Sequence, residues 1–334
     1  QQDQRPIEEI AAQFIDAEKG VESASDAIAG AQDIVAETMS DDAELRKALR
    51  EMLFEEGEVT SCYNPKQENS EKLGVYEMYK QFTERIKTLP SHRILALNRG
   101  EKEDCLKVEL HCDREKAVEK IKAKYIHGEN FADILAAAAD DSYDRLIFPS
   151  IKREVRSDLT EKADEQAIKM FEVNLKPLLM QPPLKGKTIM GLDPAYRTGC
   201  KIAVIDSSGN VLDHTVIYPT PPQNRVEEAK AKLKAMIKKH GVDVISIGNG
   251  TASKEAEIFV AELIKECDAR LSYAVVNEAG ASVYSASKLG AQEFPEFDVS
   301  IRSAVSIARR LQDPLAELIK IDVKSIGVGQ YQHD

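Results

Sequence analysis

What the sequence lacks narrows it first. No apolar run approaches the roughly 18 residues that a membrane span needs. The opening Gln1–Gln4 stretch is polar and Glu8-Glu9 follows, so no secretory leader is written there. Five cysteines, at positions 62, 105, 112, 200 and 267, form no C-x-x-C pair and no zinc spacing. Their odd number and even scatter fit reduced thiols in a cytoplasm. Six histidines are equally dispersed and none has metal-ligand spacing. No Ser-His-Asp or Cys-His order can be argued. No internal repeat or low-complexity tract is visible. An excess of positive charge is also absent: the net charge is −12. The deficit is local, because the stretch from Lys185 onward holds 19 basic and 19 acidic residues, leaving 26 basic and 38 acidic before it. An acidic chain repels a phosphate backbone overall, so any nucleic-acid contact must be local or supplied by other segments.

What is present describes an ordinary globular protein, 43% hydrophobic and 31% charged, with room in 334 residues for about two domains. Residues 1–180 read as mainly helical. Ile7–Phe14, Ser25–Thr38, Asp41–Glu56, Val75–Leu89, Asp113–Tyr125, Asn130–Ala139 and Ser150–Leu175 carry helical patterns. Ser40 before Asp41-Asp42 is a start signal, and Gly57 and Pro177 are stops. One short strand is expected near 105–111, where Cys105 to Leu110 alternates. The lone helices read individually as packing elements with solvated charged faces. Gln181-Pro182-Pro183-Leu184-Lys185-Gly186 cannot continue a helix and is read as the linker, 181–186. Beyond it, over 187–330, the period becomes strand-like. Thr188–Leu192, Lys201–Asp206 and Val211–Tyr218 form a meander. Then come a helix (Arg225–His240), a strand (Val242–Ile247), a helix (Ser253–Cys267), a strand (Ser272–Val276) and further helices. The order βββ-α-β-α-β-α predicts a five-stranded mixed sheet of ribonuclease H-like type.

On such a sheet three carboxylates are candidates. Asp193 ends the first strand in Gly191-Leu192-Asp193-Pro194, Glu278 ends the last strand in Val275-Val276-Asn277-Glu278-Ala279-Gly280, and Asp313 opens a late helix. Phosphodiester hydrolysis on this fold uses converging acids to hold two divalent metals about 4 Å apart. Mg²⁺ or Mn²⁺ would be the hard cation for such oxygen ligands. Each residue has a second reading from its local grammar. Asp193 before Pro194 also suits a turn, Glu278 can cap the helix near Gly280, and Asp313 before Pro314 is an N-cap with proline at the first helical position. Glu317, one turn later, can assist or simply support its helix.

Four long motifs carry a resemblance. Gly191-Leu192-Asp193-Pro194-Ala195-Tyr196-Arg197-Thr198-Gly199-Cys200-Lys201, Asn277-Glu278-Ala279-Gly280-Ala281-Ser282-Val283-Tyr284 and Ala308-Arg309-Arg310-Leu311-Gln312-Asp313-Pro314-Leu315 resemble successive motifs of YqgF-type domains in the Tex family of bacterial transcription accessory proteins. Leu89-Pro90-Ser91-His92-Arg93-Ile94-Leu95-Ala96-Leu97-Asn98-Arg99-Gly100 is similar to a signature of that family far outside the YqgF region. The resemblance covers nearly the whole chain. It implies a helical region followed by a ribonuclease H-like domain, within a longer protein that also carries a segment before Gln1 and helix-hairpin-helix and S1 modules after Asp334. It further implies transcription accessory work on RNA or DNA, mainly through those further modules, with RNA polymerase or its machinery as a partner, no membrane, and a monomer. YqgF domains are also similar to Holliday-junction resolvases. In such enzymes an additional acid often lies near the third motif, where this chain has Arg309 and Arg310.

Three readings therefore stand side by side: a nucleic-acid-binding transcription factor without catalysis and needing no cofactor, a Mg²⁺- or Mn²⁺-dependent nuclease using Asp193, Glu278 and Asp313, and a protein-interaction scaffold. Candidate nucleic-acid contacts are Arg197 and Lys201 beside Asp193, and Lys230, Lys234 and Lys238 on a helix that also carries Lys232 and Lys239. A solvated lysine face explains that helix equally well. Gly248-Asn249-Gly250-Thr251-Ala252-Ser253-Lys254 leads from strand to helix, where backbone amides can cradle a phosphate. It lacks the G-x-x-x-x-G-K-[ST] spacing of a nucleotide loop, and a conformational glycine turn is the plainer expectation.

Overall fold

Capping chemistry sets the first helices. The computed structural model describes residues 5–67, 71–267 and 270–328. The chain divides into two compact units, Gln1–Ile168 and Lys169–Asp334. In the first, α1 (Ile7–Ala11) precedes α2 (Ala24–Ser40), which opens on a capping box: the Ser23 hydroxyl accepts from Asp26 N and the Asp26 carboxylate accepts from Ser23 N. The expected start at Ser40 falls two residues early. Ser40 closes α2, and Asp42 caps α3 (Ala43–Glu56) by accepting from Leu45 N at 3.0 Å. Gly57 ends α3 as read, in extended rather than left-handed backbone.

The largest departure from the sequence reading follows. A three-stranded antiparallel sheet, ordered β2-β1-β3, stands where one strand was expected: β1 (Glu58–Tyr63), β2 (Gln81–Arg85) and β3 (Leu106–His111). The expected helix over Val75–Leu89 is instead a 3₁₀ segment (Glu71–Tyr79), β2 and a second 3₁₀ turn (Ile86–Thr88). Tyr76 is buried with its hydroxyl 2.9 Å from Arg99 Nε, and tertiary packing of this kind overrides the helical spacing. The helices α4 (Ser91–Lys102), α5 (Arg114–Tyr125), α6 (Ala132–Asp141) and α7 (Phe148–Leu179) complete the helical part, with a π-helical stretch over Ser142–Ile147 leading into α7. Pro177 does not stop α7, which runs on to Leu179; a proline this close to the end removes little of the ladder.

The second unit follows the expected order. β4 (Ile189–Asp193), β5 (Cys200–Ile205) and β6 (Val211–Ile217) form an antiparallel meander. After α8 (Val226–His240) comes β7 (Val244–Gly248), parallel to β4. After α9 (Ser253–Lys265) comes β8 (Ser272–Val276), parallel to β7. The sheet order is β6-β5-β4-β7-β8. It is a ribonuclease H-like sheet, and β4, β5 and β7 are buried except at the half-buried Asp193 that ends β4, as central strands covered on both faces must be. On one face Met190, Leu192 and Ile202 pack with Leu233 and Val260 of α8 and α9. On the other, Ile189, Ala203 and Ile205 pack with Ala304, Val305 and Ala308 of α12 (Val299–Gln312), which follows the short helices α10 (Ala281–Ala286) and α11 (Lys288–Glu293) and precedes α13 (Pro314–Leu318).

Gly191 explains how α12 comes so close. A Cβ at this position would overlap the Ala304 carbonyl oxygen and lie 2.9 Å from both Ala308 Cβ and Ala308 N. The helix backbone rests directly on β4. Ser246 of β7 fastens the same helix, its hydroxyl donating to Ile307 O at 2.8 Å.

Candidate functional site

The strand register fixes the site's corner. Asp193 and Lys201 are directly opposed on β4 and β5, at the end of the sheet where β4 finishes and β5 begins. Opposed residues share a face, so the carboxylate and the lysine stem run side by side. Ser303 of α12 lies near the Asp193 carboxylate. Burial pushes that carboxyl above the ordinary carboxylate range, and the Ser303 hydroxyl and the Lys201 charge pull it back.

Lys201 is only 8% exposed. Its ammonium donates to Thr198 O at 3.2 Å, Thr198 Oγ1 at 2.5 Å and Gly199 O at 2.8 Å. An ammonium has three protons, and all three have partners inside the turn. The expected contact of Lys201 with a phosphate backbone is therefore not available to it. Arg197, in the same turn, is exposed.

Glu278 lies beyond β8 and its carboxylate folds back over the β7–α9 loop. A Cβ on either Gly248 or Gly250 would overlap its oxygens, and its Oε2 is buried without a hydrogen-bond partner. Glu278 N in turn donates to Asn249 Oδ1 at 3.1 Å. Two sequence expectations change here. The glycines of this loop are required by a carboxylate packed where side chains would stand; neither has positive φ. The space at the head of this loop, where a phosphate cradle had been considered, is filled by the Glu278 carboxylate. Glu278 also does not cap α10, whose N-cap is Gly280 without a side-chain bond. Burial raises the Glu278 carboxyl and the nearby Asp193 charge raises it further, against the Gly250 amide and Arg310. Asp193 and Glu278 are thus brought within electrostatic reach of each other.

Asp313 is not brought to them. Ten residues of α12 separate it from Ser303, about 15 Å at 1.5 Å per residue. The C-terminal end of α12 is tied to the opposite end of the sheet: Gln312 Nε2 donates to Asp206 O at 2.7 Å, and Arg309 Nη2 to Gly209 O at 2.8 Å. There Asp313 is exposed and caps α13, accepting from Ala316 N at 3.2 Å, with Pro314 at the first helical position. A cleft of about 440 Å³ adjoins it, lined among others by Lys185, Arg309, Glu317 and Lys320. Glu317 is 2% exposed and accepts from Lys320 at 2.9 Å.

The fold class implies divalent metals, and these residues do not fit a two-metal site. Asp193 and Asp313 lie at opposite ends of the sheet, and an ammonium stands beside Asp193. Among the described residues no group of three or more His, Cys, Asp or Glu side chains could hold a metal ion.

Sequence reasoning missed three participants. Ser303 and the helix cap Asp298, which accepts from Ser300 N and Ile301 N at 2.8 and 3.0 Å, lie in a stretch without motif. Arg310 was read only as a residue standing, with Arg309, where resolvases often carry an additional acid. It is 3% exposed, its Nη1 donates to Asn277 O and Ala279 O at 2.7 Å each, and burial lowers its pKa to about 10 against the pull of Glu317 and Glu278. Arg310 therefore holds the Glu278 segment in place.

The lysine helix α8 is largely spent on its neighbours. Lys230 and Lys234 both reach Glu266 at 2.7 Å, Lys232 reaches Glu228 at 2.9 Å and Lys239 reaches Asp213 at 2.9 Å. Lys238 is exposed. Of the five candidate basic contacts, Arg197 and Lys238 remain exposed to solvent.

Residues 1–171 match the model described as Tex central region-like, and 187–312 match the Tex protein YqgF-like domain. The chain belongs to the Tex family. The uncharacterized protein YdcI of Bacillus subtilis is 51% identical over 324 residues, covering 96% of this chain and 45% of its own length. Protein tex of Bordetella pertussis is 41% identical, covering 97% of this chain and 43% of its own. Human S1 RNA-binding domain-containing protein 1 is 36% identical over 95% of this chain and 33% of its own length. The chain thus spans less than half the length of these relatives. Among solved structures, T. thermophilus RuvC in complex with Holliday junction substrate covers 36% of the chain at 13% identity with a TM-score of 0.27. No helix among the described residues is long and apolar enough to cross a membrane.

Proposed function

We propose that this Tex chain is the central scaffold of a nucleic-acid-binding transcription accessory protein, and that its ribonuclease H-like unit works without cleaving. Family membership carries the transcription part: a 42%-identical relative from Neisseria gonorrhoeae is named transcriptional accessory protein Tex, and the human relative is named for an S1 RNA-binding domain. The separation of Asp313 from Asp193 carries the non-cleaving part, since two-metal hydrolysis needs acids converging on metals about 4 Å apart. The acidity of residues 1–184 and the internal pairing on α8 support a division of labour in which regions of the whole protein outside these 334 residues supply most of the nucleic-acid affinity.

The test compares the full-length protein with this chain on labelled single-stranded RNA, duplex DNA and branched DNA, with Mg²⁺ and with Mn²⁺. The expected outcome is salt-sensitive binding by the full-length protein, much weaker binding by this chain, and intact substrates throughout. Metal-dependent cleavage that disappears in Asp193→Asn would establish the nuclease instead. No binding by the full-length protein to any substrate would leave the protein-interaction scaffold.

A further inference from the structure

The outer strand of an open sheet leaves a row of backbone groups to which a further strand can pair. Four edge strands stand among the described residues: β2 and β3 in the first unit, β6 and β8 in the second. Three carry charge in the strand itself, with Glu84 and Arg85 on β2, Lys107 and Glu109 on β3, and Asp213 on β6. Charge on an edge opposes the addition of another strand. β8 reads Ser272-Tyr273-Ala274-Val275-Val276 and carries neither a charge nor a proline.

Two hydrogen bonds fix which groups of β8 are free. Ser272 N donates to Asp243 O at 3.2 Å, and Val276 O accepts from Asn249 N at 3.1 Å. Successive residues of a strand turn their backbone groups to alternate sides. Ser272, Ala274 and Val276 therefore bond inward to β7, and Tyr273 and Val275 turn N–H and C=O to the open edge. The same two residues are 37% and 44% exposed. Their side chains share the face of Ile245 and Ile247, their partners on β7, which is the face that α9 covers. The Tyr273 hydroxyl donates to Glu257 Oε1 of α9 at 3.0 Å, and the next residue, Ile258, is 55% exposed. The edge thus presents alternating donors and acceptors beside exposed apolar side chains.

Alternating free backbone groups are matched by another extended main chain, with alternate side chains supplying selectivity. We propose that β8 docks an extended peptide of a protein partner as a sixth strand, uncharged where it pairs and β-branched or aromatic at the positions that meet Tyr273 and Val275. Area argues against a second copy as the occupant. Five residues span about 17 Å, and a sheet edge about 10 Å deep gives on the order of 170 Å² per copy. A stable pair needs roughly 800 Å² per partner. A peptide has no globular body holding it off, so its side chains can also fold onto the α9 side of the edge. This goes beyond nucleic-acid binding and does not depend on it.

The test follows single amides of the 334-residue chain by hydrogen exchange with NMR detection. In the free chain the Ala274 and Val276 amides should exchange slowly and those of Tyr273 and Val275 fast. The probe is a blocked peptide, Lys-Thr-Val-Thr-Val-Thr-Lys, which should slow Tyr273 and Val275 by about tenfold or more at saturation. Val275→Pro removes one outward donor and no bond to β7, as an edge strand tolerates, so it should keep the fold and lose the protection of Tyr273. Tyr273→Lys, which puts a charge on the edge, should lose that of Val275 and serves if the proline variant misfolds. Unchanged exchange with the probe overturns the proposal, as does protection that persists in a folded variant. Protection that grows with the concentration of the chain alone gives the edge to a second copy and also overturns it. Protection already present in the full-length protein without probe gives the edge to another part of that protein, with the same consequence. RNA binding by full-length Val275→Pro should equal that of the wild type, so failure here leaves the nucleic-acid reading standing.

Discussion

Replacing Gly191 by alanine tests the packing on which the whole corner depends. The new Cβ would overlap the Ala304 carbonyl oxygen and sit 2.9 Å from Ala308 Cβ and N. Carbon contacts are comfortable at about 3.5–4.0 Å, so α12 must withdraw from β4 by about 0.6 Å or more. Two of the three obstructing atoms are backbone and cannot rotate away. Overpacking of this kind costs about 1–3 kcal/mol, and the upper end applies here. Removing a glycine from a strand returns about 0.5–1 kcal/mol. The net expected loss is about 2 kcal/mol, which at a urea slope of about 2 kcal/mol/M lowers the midpoint by about 1 M. The chain has no tryptophan, so Tyr273→Trp on the exposed edge strand β8 supplies a fluorescence reporter confined to the second unit. Gly30→Ala in α2, where a Cβ meets nothing within 4 Å, is the control and should stabilise the first unit by about 0.5–1 kcal/mol. A Gly191→Ala loss below about 0.5 kcal/mol, with the control behaving as stated, would mean that α12 does not rest on the strand backbone, and the nearness of Ser303 to Asp193 would fall with it.

Other expectations follow from single groups. Asp313→Ala should cost about 1 kcal/mol through loss of the α13 cap, seen as a lowered urea midpoint, and should leave Mn²⁺ binding unchanged. The Glu278 carboxyl is raised in the folded state, so the stability it contributes is present below its ordinary pKa and lost as pH rises through the folded value; the stability of Glu278→Gln relative to wild type should therefore increase between about pH 4 and pH 8 in urea titrations, and a flat difference would refute the buried, like-charged setting. Asp213 is held at about 2 by Lys239 and His240, so its contribution is present above the ordinary carboxylate pKa and lost as pH falls toward about 2; in Asp213→Asn the acid side of the stability profile should lose that slope. For RNA, Arg197→Ala should weaken binding by the full-length protein and reduce its salt slope by about 1, whereas Lys230→Gln should leave both unchanged because Lys230 is engaged with Glu266.

The second unit was legible because its strands carry their own signal. Buried strands such as Cys200–Ile205 and Val244–Gly248 are short apolar runs between turn residues, and alternating β–α segments leave few topologies. The first unit was less legible. Glu58–Tyr63 and Gln81–Arg85 are short and mixed in polarity, and what makes them strands is pairing across the chain, with Val59 facing Glu84 on one side and Leu110 on the other. At the candidate site, Asp193 and Glu278 could be found from strand ends alone. The isolation of Asp313 could not, because it depends on α12 running back along β4 toward the Asp206 turn. Lys201 was visible as a charge beside Asp193. Its burial depends on the Thr198–Gly199 turn curling around the ammonium, which no local pattern encodes.

The cap at Asp313 changes how the third motif should be used. An aspartate that holds a helix start and precedes a proline has a reason to persist under selection for folding alone. A chain can therefore lose phosphodiesterase chemistry entirely and still display all three acids in order. Counting acids along a sequence will then classify such chains as nucleases. The discriminating question becomes directional: whether the helix carrying the third acid presents it at the end of the sheet where the first strand finishes, or at the end where that strand begins.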